Sequence, residues 1–231
     1  MSYRSRLLAL FALILFAPAP TVGVLLALNA PQGTIGTLWW AAMKVWLFVL
    51  PAAWYVLLEK QKFSWSKPKN GGLLIALIVG ILMCITIIGA FYFFALPNFQ
   101  TSDIKSRAVA FGLNQPYIYL FAALYWILVN SLLEEYIFRF FFYRQLETLF
   151  NGKQILAIIL AAAIFTLHHS VVLTAYLSTL HNILASLGIF FAGVIWSAMY
   201  AKYRSIWIPY ISHLWADIGV FSVGAYLIFF A

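Results

Sequence analysis

About seven apolar runs divide the sequence, and each is long enough to cross a lipid bilayer as a helix. About 20 apolar residues span the ~30 Å of hydrocarbon in helical form. No polar stretch between the runs is long enough to fold by itself in water. We therefore predict an all-α fold, a polytopic membrane helical bundle forming one domain over residues 1–231, with about seven transmembrane helices at 7–28, 37–58, 73–96, 117–142, 154–175, 180–202 and 207–229.

The composition excludes a soluble fold. Hydrophobic residues make up 65% of the chain and charged residues only 9%, whereas soluble domains carry about 25% charged residues. The net charge of +8 comes from basic residues scattered over short loops, so the expected partners are membrane lipids and not nucleic acid. The single cysteine, Cys84, lies inside an apolar run and excludes a disulfide framework.

The basic residues between the spans predict the orientation of the chain. Lys60, Arg144 and Lys202 fall in alternate loops, on the side of the N-terminal arginines, and the opposite loops carry only Lys105 and Arg107. Because lysine and arginine are enriched in cytoplasmic loops, we predict a cytoplasmic N terminus. The short loops are typical of a prokaryotic protein of the plasma membrane. The prolines of APAP (17–20) predict a bent first span, which we favour over a cleaved signal peptide.

Ionisable residues inside the spans are concentrated in the second half of the chain. Such a group costs on the order of 2.5–3.5 kcal/mol in hydrocarbon on insertion scales, so it should face a partner or a water-filled cavity. A small transporter would also bury such groups, but no internal repeat is visible. We therefore predict one buried reaction site, with the candidates Glu134, Glu135, Arg139, His168, His169, His213 and Asp217.

Two adjacent glutamates in the fourth span are predicted to have different roles. Glu135 and Arg139 are four residues apart with the acid first, which favours a helical ion pair that supports the site. Glu134 points about 100° away around the helix and remains a spare carboxylate, suited to a general base. The alternative is that both acids lie solvated at a helix end.

Histidines supply the remaining candidates. His168 and His169 point to different sides of the fifth helix, and we expect only His169 to face the site. His168 and His181 are predicted to be ordinary packed residues. His213 and Asp217 are four residues apart and therefore project together from the last span.

The segments EEYIFR (134–139), FTLHH (165–169) and HLWAD (213–217) resemble, in order and spacing, the motifs of the CAAX prenyl endopeptidase and bacteriocin-processing (CPBP) family of intramembrane proteases. Those motifs read EExxxR, FxxxH and HxxxN or HxxxD. Each motif alone is weak, but three in order within membrane spans are a fairly specific signal, with a family core at 117–229. Asp217 stands where the prenyl endopeptidases themselves carry Asn, which weakens any claim to a prenylated substrate.

The resemblance implies an endopeptidase that hydrolyses a peptide bond of a membrane-associated or lipidated protein or peptide. By that resemblance, Glu134 and His169 activate the attacking water, and His213 and Asp217 stabilise the intermediate. Ionised Asp217 is acceptor-only, so we expect it to orient His213 or to help hold a metal. A non-catalytic scaffold or a bacteriocin-immunity-type protein of the same family, in which binding replaces cleavage, is the alternative.

The metal content of the site is left open by the sequence. Glu134, His169 and His213 match a catalytic zinc set, and the family is often labelled metalloprotease. HExxH is missing, and the same residues suit a metal-free glutamate mechanism. The predicted span ends place Glu134 about 12 Å and His213 about 9 Å from the cytoplasmic side, so the site should open toward the cytoplasm, whereas His169 comes out too deep, at roughly 22 Å.

Overall fold

The computed structural model describes residues 2–29, 34–62, 64, 66–68, 70–96, 105–106, 108–109 and 112–231. Within these residues the chain is helical and contains no strand. Seven helices in these described ranges are long and apolar enough to cross a membrane, which confirms the predicted fold class. They are α1 (Tyr3–Asn29), α2 (Ala41–Leu58), α3 (Leu73–Ala95), α4 (Pro116–Leu149), α5 (Gln154–Leu173), α6 (Thr179–Tyr203) and α7 (Trp207–Phe229).

The first span is bent, as its prolines predict. Regular helix ends at Phe16, and a second helical segment runs over Ala19–Asn29 after a turn at Ala17 and Pro18. Proline lacks the backbone N–H of a helical hydrogen bond, and its ring crowds the preceding turn.

The fourth span is longer than its apolar run indicates, because α4 continues to Leu149 and not only to residue 142. Glu147, near the end of α4, accepts hydrogen bonds of 2.7 Å from Nη1 and Nη2 of Arg204, which follows α6. Arg144, expected in a loop, lies within the helix, with its guanidinium over the rings of Tyr55 and Phe140. Because Glu147 and Arg144 have these partners, the helix can continue through polar residues beyond its apolar run.

The longer α4 places Glu134 and His169 at matching positions in their helices. Glu134 lies 15 residues before Leu149, and His169 lies 15 residues after Gln154. The link between α4 and α5 joins those two helix ends, so the two side chains can meet, and their ligand atoms do lie close together.

An aromatic core surrounds the second half of α4. Phe138, Phe141, Phe142 and Tyr143 are all buried there. Ring pairs join them edge to face with Phe16 of α1, Phe165 of α5 and Tyr200 of α6, with centroids 5.0–5.6 Å apart. Packing of this kind fixes the rotation of α4.

Small residues bring α3 and α7 into close contact. A methyl group on Gly80 of α3 would lie 2.9 Å from Cα of Ser212, and one on Gly219 of α7 would lie 3.2 Å from Cα of Cys84. Close backbone approach through small residues is a common way for membrane helices to pack. This seam holds the part of α7 that carries His213.

The outer surfaces of the helices are apolar, as expected next to lipid. Leu74, Phe93 and Ile155, for example, are each about 70% exposed. Lys105 donates a hydrogen bond to the carbonyl oxygen of Ala231, so the α3–α4 connection lies beside the C terminus. Arg107, the other basic residue predicted on this side, lies outside the described residues, and the cytoplasmic N terminus stays a prediction.

We predict that Gly80→Ala destabilises the α3–α7 seam, whereas Gly89→Ala in the same helix does not. The new methyl group at residue 80 meets backbone, while nothing lies within 4 Å of the corresponding position at residue 89. Overpacking costs about 1–3 kcal/mol, so Tm in detergent should fall by several degrees for Gly80→Ala alone. Equal Tm values for the two variants would contradict the close contact.

Candidate active site

Three helices bring the predicted polar residues together. Glu134 of α4 lies close to His168 and His169 of α5 and to His213 of α7, and His213 in turn lies close to Asp217. Glu134 ends an α-helical turn between two π-helical segments, Tyr125–Asn130 and Glu135–Tyr143. Segments of this rare, wider winding frequently occur at functional sites.

Glu134 faces both α5 and α7. Its Oε1 accepts a hydrogen bond of 2.7 Å from Nδ2 of Asn130 and lies 4.0 Å from Nε2 of His168. Its Oε2 lies 3.7 Å from Nε2 of His213. The side chain is 14% exposed, so the alternative of a solvated helix end does not describe it.

The predicted pairing of Glu135 with Arg139 is present and fully buried. Nε of Arg139 lies 3.3 Å from Oε2 of Glu135. The guanidinium also lies over the rings of Phe165, at 4.5 Å, and Trp196, at 5.2 Å. It forms no hydrogen bond to any described residue, so the ion pair and the aromatic faces are what stabilise this buried cation.

Glu135 also contacts His213, which the sequence did not indicate. Oε1 of Glu135 lies 2.8 Å from Nδ1 of His213. Since an ionised carboxylate only accepts hydrogen bonds, Nδ1 carries the proton and Nε2 points toward Glu134 and Asp217. The imidazole stacks on Trp196, with ring centroids 4.0 Å apart. Glu135 is therefore the residue that forms the hydrogen bond with His213, and the expected role of Asp217, orienting His213 or helping to hold a metal, stays a prediction.

His169 and Asp217 complete the predicted set. Nδ1 of His169 lies 3.0 Å from the carbonyl oxygen of Phe165, so this nitrogen is the donor and Nε2 keeps its lone pair. Oδ2 of Asp217 accepts a hydrogen bond of 2.5 Å from Oγ of Ser131, and its Oδ1 lies 3.7 Å from Nε2 of His213.

His168 was excluded by the sequence analysis, and the structure corrects this. Its Nε2 lies 4.0 Å from Glu134, and its ring lies 3.9 Å from that of His169, centroid to centroid. The imidazole stacks on Phe138 with an interplanar angle of 9°. The two histidines leave the helix in different directions, but Glu134 is near both. Only knowledge of how α4 packs on α5 reveals this. His181 lies apart, beside Ser178.

Glu134, His168 and His169 form a group with metal-ligand chemistry. Their ligand atoms lie within 4.8 Å of one another, and two imidazoles with one carboxylate are a donor set that zinc accepts. Zinc-bound histidines usually donate their second N–H to a fixed acceptor. His169 meets this condition, whereas Nδ1 of His168 is buried without a well-formed hydrogen bond among the described residues. The residues thus fit zinc by donor type, with His168 in place of the expected His213.

Comparison with known proteins identifies the segment that carries these residues. The family described as type II CAAX prenyl endopeptidase Rce1-like matches residues 116–219. This confirms the resemblance predicted from the three motifs, all of which lie within the match. No curated protein and no solved structure gives a significant match to the chain. Seven apolar helices indicate a multi-pass membrane protein, and residues 116–219 of it are similar to CAAX prenyl endopeptidases.

We predict that Glu135→Leu alone strongly destabilises the protein, whereas Glu135→Leu with Arg139→Leu largely recovers stability. Breaking a buried pair leaves an unpaired charge and costs about 3–5 kcal/mol, while replacing both partners with apolar residues is often neutral. Tm in detergent measures this. His213 loses its acceptor in both variants, so both should remain poorly active in a cleavage assay. Full activity of the double variant would contradict the orienting role of Glu135.

Proposed function

We propose that this chain is an intramembrane endopeptidase that hydrolyses a peptide bond in a membrane-associated or lipidated protein. The observation that carries the proposal is a carboxylate, Glu134, held inside a membrane bundle between histidines from two other helices. The family match to CAAX prenyl endopeptidases over the same segment supports it. That family name also makes a prenylated C-terminal segment the first substrate to test.

The first step we propose is activation of water. Glu134 takes a proton from a water molecule, and Nε2 of His169 accepts a hydrogen bond from the same water, because its Nδ1–H is committed to Phe165. The resulting hydroxide attacks the scissile carbonyl carbon and forms a tetrahedral oxyanion. Glu134 then returns its proton to the amine that leaves.

Stabilisation of the oxyanion is assigned to His213. With Nδ1–H directed at Glu135, the ring donates from Nε2 only as an imidazolium. Three carboxylates lie within 3.7 Å of its ring nitrogens and favour that charge: Glu134, Glu135 and Asp217. The stacked indole of Trp196 adds a cation–π attraction. Asp217 therefore acts through His213 and not as a donor to the oxyanion.

A metal ion would alter the first step. If zinc binds, Glu134, His168 and His169 hold it, and the metal supplies an acidified water and a polarised carbonyl. We propose the metal-free route, in which Glu134 is the base and His213 is the oxyanion donor. His213 would keep that role if a metal were bound, whereas Glu134 would then be a ligand instead of the base.

The test of the proposed function is Glu134→Gln in native membranes. Carboxylate and amide are nearly the same size, so the fold should persist while the base is lost. Mass spectrometry of protein C termini should show substrates that the parent processes and that Glu134→Gln leaves uncleaved. The control Glu59→Gln removes a carboxylate outside the spans and should process them like the parent. Unchanged processing in Glu134→Gln would refute the peptidase and favour a binding role such as immunity.

We further predict that purified protein contains less than one zinc per chain and retains activity in chelator. Elemental analysis of the protein before and after chelation provides a readout that is independent of cleavage. Stoichiometric zinc that is lost together with activity would overturn the metal-free route. In that case His168→Ala should abolish metal binding as fully as His169→Ala.

A further inference from the structure

Asn130 and Ser131 are polar side chains of α4 to which the proposed mechanism assigns no role. They precede Glu134 by four and three residues, which is about one helical turn. Nδ2 of Asn130 donates to Oε1 of Glu134 at 2.7 Å, and Oγ of Ser131 donates to Oδ2 of Asp217 at 2.5 Å. Each residue thus holds one oxygen of a carboxylate in the site.

The second oxygen of each carboxylate points at one atom. Oε2 of Glu134 and Oδ1 of Asp217 both lie 3.7 Å from Nε2 of His213. An unrestrained carboxylate rotates freely about its last bond, because this torsion is broad and roughly two-fold. Two fixed donors, one for each carboxylate, remove that freedom.

We propose that Asn130 and Ser131 are positioning residues that fix the two carboxylates on either side of Nε2 of His213. This inference rests on the proposed function and deepens it. The proposed mechanism gives neither residue a contact with the attacking water or the scissile bond, and each acts through the carboxylate that it holds. The reactive geometry of α7 is therefore set partly by two residues of α4 that lie outside the three motifs.

Ser131 is suited to this role by its surroundings. It is fully buried, and its hydroxyl also lies 2.9 Å from the carbonyl oxygen of Ile127 and 3.0 Å from that of Trp126. A hydroxyl has one proton but two lone pairs, so it donates to one acceptor at a time. An ionised carboxylate is the strongest of the three acceptors, and the hydrogen bond therefore goes to Asp217.

The same hydroxyl would also orient an asparagine at position 217. With Asp217→Asn, Ser131 would donate to the amide oxygen and direct the NH₂ group toward His213. The orientation of an amide would otherwise be ambiguous, since its oxygen and nitrogen are similar in size. Ser131 thus selects which atom of residue 217 faces the site.

The experiment compares Ser131→Ala and Asn130→Ala with Ser197→Ala, using a farnesylated peptide that ends in Cys-aliphatic-aliphatic-Met. Ser197 is a matched control, because it is also a buried helical serine and its hydroxyl has no hydrogen bond to any described residue. For Ser131→Ala and Asn130→Ala we expect kcat to fall about tenfold or more, with KM and Tm near the parental values. Ser197→Ala should keep the parental kcat.

A double-mutant cycle separates positioning from a structural link between α4 and α7. If Ser131 acts through Asp217, then Ser131→Ala has no further effect on the residual single-turnover rate of Asp217→Ala. Additive losses, or a fall in Tm that accounts for the loss of rate, would overturn the inference. So would parental kcat in both Ser131→Ala and Asn130→Ala while Glu134→Gln is inactive, a result that leaves the proposed function intact. Cleavage by Glu134→Gln would instead refute the proposed function itself.

Discussion

The carboxylate of Glu135 is the group on which the rest of the site depends. One oxygen neutralises Arg139, a cation enclosed by aromatic rings, and the other receives Nδ1–H of His213. A buried charge without its partner is strongly destabilising, and an imidazole without a fixed acceptor loses its orientation. The same side chain therefore stabilises α4 within the core and sets the direction in which Nε2 of His213 points.

The aromatic side chains around this group act as walls of the site. Trp196 stacks on His213 and Phe138 stacks on His168, so one face of each imidazole is covered by an aromatic ring. Nε1 of Trp196 also donates to Oγ of Ser212, which fixes the indole itself. Rigid walls of low polarity keep water from competing with the hydrogen bonds inside, and electrostatic stabilisation of a transition state depends on such preorganisation.

The sequence predicted well whatever is determined locally or by the bilayer. Span number follows from the length of hydrocarbon, and the Glu135–Arg139 pair follows from helical spacing. The sequence did not predict the features that depend on contacts between helices. The bond from Glu135 to His213 and the approach of His168 to Glu134 depend on how α4 meets its neighbours. Near the end of α4, Glu147 pairs with Arg204, which lies 57 residues further along the chain.

The balance of charge in the site gives a physical reason for a protonated His213. Three carboxylates lie around its ring, and Arg139 alone offsets only one of them. In a medium of low dielectric, two uncompensated negative charges a few ångströms apart repel strongly. An imidazolium at His213 would reduce that excess to one. The carboxylates that hold His213 in place therefore also favour its protonated form, which the proposed oxyanion contact requires.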